Sequence, residues 1–201
     1  AMSSGISGTY QAAMNAKLDL EEEFPQRYIH IVDSRGCGFG SGLLAIRAAE
    51  LSRMGTPVRQ AGAMLDADVP HMCQYFTVDD LNFLKRSGRV SGATAMIGTV
   101  LNIKPILYGT ADGHIVSCAK VRGRKKAIEA IADIYAKKQV DAENRIVAIS
   151  HGDCPEEAEI LAERVRQIAN PKKLIIVPHE PFSGAHVGPG MLALFFYGKE
   201  R

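Results

Sequence analysis

Short apolar runs alternate along this chain with longer stretches whose apolar residues recur every third or fourth position, the pattern of strands alternating with helices. Tyr28–Val32, Gln74–Val78, Lys104–Tyr108, His114–Lys120, Arg145–Ser150, Leu174–Val177 and Met191–Tyr197 read as strands. Thr9–Glu23 reads as a helix with Ser7 as N-cap; its C-terminal end is set to fray, because Glu21, Glu22 and Glu23 oppose the macrodipole. Leu43–Met54 is helical and stops at Gly55, and Thr56-Pro57 opens a further helix towards Val69. Asp79-Asp80 caps Leu81–Ser87, and Ala93–Leu101 is a second helical stretch. Arg124–Gln139 places Ala127, Ile128, Ile131, Ile134 and Tyr135 on one face, and Pro155–Ala169 carries proline at its first turn. Ala111-Asp112-Gly113 is a hairpin signal between two β-like runs.

These elements predict an α/β protein in two lobes. Residues 1–72 form a parallel α/β/α lobe that is incomplete, and residues 73–201 form a mixed sheet with helices packed on it; Pro70–Cys73 is the crossing. A serine- and glycine-rich helix start such as Ser3–Gly8 follows a buried strand in an α/β protein, yet the sequence before it is Ala1-Met2. Ala1 reads as a residue left by tag cleavage. The chain is therefore expected to be N-terminally truncated, and to self-associate over the apolar face and unpaired strand edge that a missing strand exposes.

Composition narrows the classes. With 24 basic and 22 acidic residues the net charge is +2, too even to argue for nucleic acid or an anionic membrane surface. No apolar run is long enough to span a bilayer, and no basic stretch followed by an apolar segment reads as a signal peptide. The cysteines at 37, 73, 118 and 154 are widely spaced and read as reduced thiols of a cytoplasmic protein.

Three segments carry candidate chemistry. Ser3-Ser-Gly-Ile-Ser-Gly-Thr-Tyr10 gathers backbone N–H groups and hydroxyls at a helix N-terminus, which suits a carboxylate or phosphate, or simply a well-capped helix. Phe83-Leu-Lys-Arg-Ser-Gly-Arg-Val-Ser91 sets Arg86 and Arg89 one helical turn apart, able to grip a phosphate or a partner's carboxylates, or to form a solvated basic surface. His186-Val-Gly-Pro-Gly190 is too glycine-rich for a regular strand, which points to close backbone approach at Gly188. Other chemistries fail. Gly36 and Gly38 would need glycine at position 41 for a dinucleotide fingerprint, and Ser41 stands there. His151 and Cys154 lack a third metal ligand, and no nucleophile elbow, kinase motif or phosphate-binding loop is present.

The three segments, in this order and spacing, resemble the DegV family of bacterial fatty-acid-binding proteins, whose FakB members carry acyl chains to a fatty acid kinase. Asp33-Ser34 and the Val121-Arg-Gly-Arg-Lys-Lys-Ala127 segment resemble further family motifs, the latter read as surface charge. The resemblance implies a carrier rather than an enzyme, with a long-chain fatty acid between the lobes and no metal or cofactor. It implies that Ser4, or Ser3 beside it, holds the carboxylate. Ser7, His186 and Gly188 would lie at the same end, and Arg86 and Arg89 would face the kinase. The family's partner threonine, in an upstream Thr-Ser-Gln-Pro segment, has no counterpart here. Two rivals remain: a small acyl or phosphate hydrolase built on the serine-rich loop and His186, and a truncated remnant that binds no lipid.

Overall fold

The computed structural model describes residues 1–90 and 102–201. The expected helix Ala93–Leu101 lies outside the described residues. The centre of the fold is a six-stranded sheet: β1 Met72–Thr77, β2 Ile103–Gly109, β3 Ile115–Arg122, β4 Ile146–His151, β5 Lys173–Pro178 and β6 Leu192–Tyr197. Their order is β3-β2-β1-β6-β4-β5. The β4–β5 pair is parallel and the other pairs are antiparallel.

Burial explains the order. Every residue of β1 and of β6 is buried, as continuous apolar runs covered on both faces should be, and these two strands sit at the centre. Edge strand β3 carries exposed Cys118, Ala119 and Lys120, and edge strand β5 is only half-buried. The two-residue period then divides β6 between two cores. Leu192, Leu194 and Phe196 face one side. Ala193, Phe195 and Tyr197 face the other.

Helices α5 (Arg124–Lys138) and α6 (Pro155–Ile168) cover the first side. The buried face of α5 is Ala127, Ile128, Ile131, Ala132 and Tyr135, so Ala132 takes the place expected for Ile134, which is only partly buried. Helix α6 opens with Pro155 and carries Glu156 and Glu157 in its first turn, where the helix dipole favours carboxylates. Its Ala158, Leu161, Ala162 and Val165 are fully buried. Arg124 ties the two helices by donating to Glu157 Oε2 at 2.6 and 3.0 Å.

The second side is covered by α2 (Phe39–Arg53), α3 (Val58–Asp68), α4 (Leu81–Ser87) and α7 (Pro181–Val187). Leu43, Leu44 and Leu51 pack in one cluster with Phe76, Ala193 and Phe195, so this core draws on residues from both sides of position 72. Helix α1 (Thr9–Glu23) contributes no fully buried residue, and Leu18 and Leu20 are exposed.

Three local expectations are corrected. Tyr28–Val32 forms no strand: a strand needs a partner, and there the Ala1 amino group donates to Val32 O at 2.7 Å while Ser34 N–H donates to Ala1 O. The 1–72 segment therefore holds helices without a parallel sheet among its described residues. Gly8, not Ser7, is the N-cap of α1, and the Ser7 hydroxyl accepts from Thr9 N–H instead. The segment around His186 is no strand, as its glycines imply, but it is a helix not among the expected elements: His186 lies on α7, which proline starts and Gly188, in a positive-φ conformation, ends.

Candidate functional site

A cavity of about 80 Å³, open at its mouth, lies between the α4/α7 side of the sheet and the N-terminal loop. Its wall is mostly apolar: Ile6, Phe76, Leu84, Ile115, Val187, Met191, Ala193 and Phe195 are among the lining residues. Parity of the strands puts them there, since Phe76, Ala193 and Phe195 belong to the same face of the sheet. Polar groups on the wall are Ser7, Cys37, Gln74, Arg89, His179, Ser183 and His186.

The glycine-rich turn before α2 closes one end. Gln74, the polar residue inside buried β1, accepts from Cys37 N–H at 3.2 Å and donates to Arg35 O at 3.3 Å. Its amide occupies the space that a side chain at 109 would need: a Cβ on Gly109 would stand 1.9 Å from Gln74 Nε2. Gly38 takes φ +53 and ψ −129, a conformation closed to other residues, and lets the turn approach His179, whose Cε1 would be 3.2 Å from a Cβ there. Burial pushes the Cys37 thiol up to about 12, with the Glu180 carboxylate adding to the rise, so it stays protonated and is no nucleophile at neutral pH.

Ser3 and Ser4 do not line this cavity. Ser3 is fully buried, donating to Gly113 O at 2.7 Å and accepting from Gly5 N–H at 3.2 Å, which pins the N-terminal loop to the β2–β3 hairpin. Ser4 is turned outward and donates to Asp33 Oδ2 at 2.6 Å, with its N–H on Asp33 Oδ1. Burial acts to raise the Asp33 pKa, but hydrogen bonds from Ser4 and from Arg35 N–H, with the Arg35 guanidinium 3.0 Å away, outweigh it and hold the carboxyl below its ordinary 3.8. A depressed carboxyl stabilises the fold above its unfolded pKa, and that contribution is lost as pH falls through the folded value. Ser4→Ala should therefore move the Asp33 pKa upward in an NMR titration and narrow this acid-sensitive window; an unmoved pKa would show that Arg35 alone sets it.

Ser7 and His186 both line the cavity, but the Ser7 hydroxyl bonds Thr9 at 2.7 Å, and the His186 ring stands edge-on to exposed Phe182, 6.1 Å between centroids. Gly188, at φ +75, makes room for the Phe83 ring, which would lie 2.5 Å from a Cβ at that position. Arg86 and Arg89 do not share a helix. Gly88 in the left-handed conformation ends α4 between them. Arg86 stacks over Phe83 at 4.7 Å, while exposed Arg89 reaches the cavity wall and donates to Ser87 O.

One polar group was not anticipated. Ser150 Oγ is 2.9 Å from His179 Nδ1, His179 Nε2 is 2.5 Å from Ser183 Oγ, and Ser183 donates to Glu180 Oε1 at 2.5 Å. Proton counting gives the string a direction. Ser183 spends its one proton on Glu180, so His179 must donate through Nε2–H, which leaves Nδ1 to accept from Ser150. Burial lowers the His179 pKa, with Glu180 opposing only in part, and keeps the imidazole neutral, as that tautomer requires. The available signal was Glu180 at the N-cap of a proline-started helix with Ser183 three residues on. Among the described residues, no three His, Cys, Asp or Glu side chains gather as a metal site, and no helix is long and apolar enough to cross a membrane.

A mixed sheet covered on both faces, with a largely apolar cavity under one layer of helices and polar groups confined to its wall, is the build of a small-molecule-binding α/β protein. Comparison with known proteins sharpens this. The model of the DegV family, described as an uncharacterised protein, matches residues 1–199. A DegV domain-containing protein of Clostridium perfringens is 38% identical over 201 residues, all of this chain and 69% of that protein. A DegV family crystal structure from Ruminococcus gnavus, refined with vaccenic acid, superposes with a TM-score of 0.89 at 28% identity, covering 96% of this chain and 69% of that one. The fatty acid binding DegV family protein of Streptococcus agalactiae gives 0.82 at 29% identity, covering 98% and 68%. The chain belongs to the DegV family.

Proposed function

We propose that this chain is a carrier of long-chain fatty acid, with the acyl chain in the cavity and the carboxylate at the end lined by Ser7, Arg89 and His186. The observation that carries the reading is the mostly apolar cavity with cationic and hydroxyl groups on its wall. The vaccenic acid of the R. gnavus structure and the fatty acid binding of the S. agalactiae protein support it. Ser3 and Ser4 then serve the head group indirectly, by holding the loop that presents Ser7. Burying ~15 methylenes at about 0.8 kcal/mol each yields on the order of 12 kcal/mol gross. Ordering and desolvation remove much of it, so the chain supplies affinity and the head contacts supply orientation. Exposed Arg89 on the cavity wall and exposed Arg86 on α4 are the groups through which a separate fatty acid kinase would meet the bound acid in the cytoplasm. The carrier does no chemistry of its own: Ser7 bonds Thr9 rather than His186, which leaves the hydrolase rival without a nucleophile–base pair there.

Native mass spectrometry of the purified chain should show a mass increment of one fatty acid, and after delipidation the chain should bind a fluorescent fatty acid. A lipid-free protein that also fails to bind the probe removes the carrier reading.

A further inference from the structure

We propose that Ser183 makes the cavity selective for an oxygenated acyl chain, one bearing a hydroxyl along its length, over an unsubstituted chain; this rests on the carrier reading above. A wall for plain alkyl chain needs no polar atoms, yet this one carries a continuous string: Ser150 to His179 to Ser183 to Glu180. Its two inner members are nearly inaccessible, His179 with 4% of its side chain exposed and Ser183 with 8% of the residue exposed, and both line the cavity.

The string has spare capacity of one sign only. Ser183 Oγ donates to Glu180 and accepts from His179 Nε2–H, which leaves one lone pair. The His179 nitrogens are both used. The free valence at this wall is therefore an acceptor, and the group that completes it is a donor. A carboxylate cannot donate and would meet the Glu180 carboxylate at the end of the same string. An alcohol can donate, carries no charge, and tolerates the apolar surroundings of Phe195 and Ala193.

Position fits as well. Ser183 lies one helical turn before His186 on α7, on the side of His179, which approaches Phe195 and the Gly38 turn. An acid with its carboxylate at Ser7, Arg89 and His186 would thus bring the carbons that follow the carboxylate against Ser183.

The test compares octadecanoic acid with a series of its monohydroxy derivatives, the hydroxyl moved along the chain, by displacement of a fluorescent fatty acid from the delipidated protein. One added hydrogen bond in a buried site is expected to make at least one hydroxy acid roughly 5- to 10-fold tighter than octadecanoic acid. Ser183→Ala should abolish that preference, read as the ratio of hydroxy-acid to octadecanoic-acid affinity within the same variant, whatever happens to affinity overall. Ser183→Thr keeps an oxygen and should keep the preference, which separates loss of the acceptor from damage to α7. Equal affinities across the series, or a preference that survives in Ser183→Ala, overturns the inference and leaves the carrier reading in place. Binding of no acid at all overturns both.

Discussion

Ala193→Leu should weaken fatty acid binding roughly 50-fold. Ala193 is 4% exposed, pairs with Phe76 across the β1–β6 register and lines the cavity wall. Leucine adds three carbons to that wall, and a cavity of fixed outline then holds about three fewer methylenes. At about 0.8 kcal/mol each the loss is ~2.4 kcal/mol, and 1.4 kcal/mol corresponds to a tenfold change. The fold should not suffer in proportion, because the new carbons enter open space instead of close-packed core. The measurement is a displacement titration beside a thermal melt of the delipidated protein. Affinity within twofold of the unchanged chain would show that the acyl chain lies elsewhere.

The second large effect concerns the other layer. Tyr135 is fully buried on α5, and its ring stands edge-on to Phe196 at 5.0 Å. Tyr135→Ala should destabilise the fold by about 3–5 kcal/mol, the range for deleting a large buried aromatic. Tyr135→Phe should have the opposite character. The Tyr135 hydroxyl is buried and has no hydrogen-bond partner among the described residues, and burial drives its pKa up to about 12. Removing an unpaired buried polar atom costs nothing and relieves a desolvation penalty. Chemical denaturation of both variants checks the pair. A loss of more than about 1 kcal/mol in Tyr135→Phe would mean that the hydroxyl has a partner in solution.

What the sequence could and could not convey follows from where each kind of information resides. The central strands were legible because Gln74–Val78 and Met191–Tyr197 are apolar on both faces, and such runs have one place to go. Helix α5 was legible because a face repeating every 3.6 residues needs only local knowledge. That Tyr28–Val32 forms no strand was not legible, because a strand is a relation between two segments and composition reports only one of them. Helix α7 was hidden behind its glycines at 184, 188 and 190, although Pro181 stood at the start where proline favours a helix. At the site, Ser7, Arg89 and His186 could be singled out as residue types and do line one cavity. Ser4 looked equivalent to Ser7 in sequence. The difference is Asp33, which takes up the Ser4 hydroxyl across 29 residues of chain. The Ser150–His179–Ser183–Glu180 string escaped notice for the same reason, since two of its members lie on β4 and beyond β5, and only the fold sets them side by side.

The cavity wall is assembled from residues as far apart as Ile6, Phe76, Ile115 and Phe195, and the loop at its N-terminal side is fastened to the hairpin by a bond spanning 110 positions. No fragment of the chain contains it. During synthesis β1, β2 and β3 can pair with one another, but β1 and β4 stay apart until β6 has left the ribosome and can enter between them. The hollow lined by Ala193 and Phe195 is therefore among the last features of the molecule to come into existence, because it waits for β6 to join the sheet.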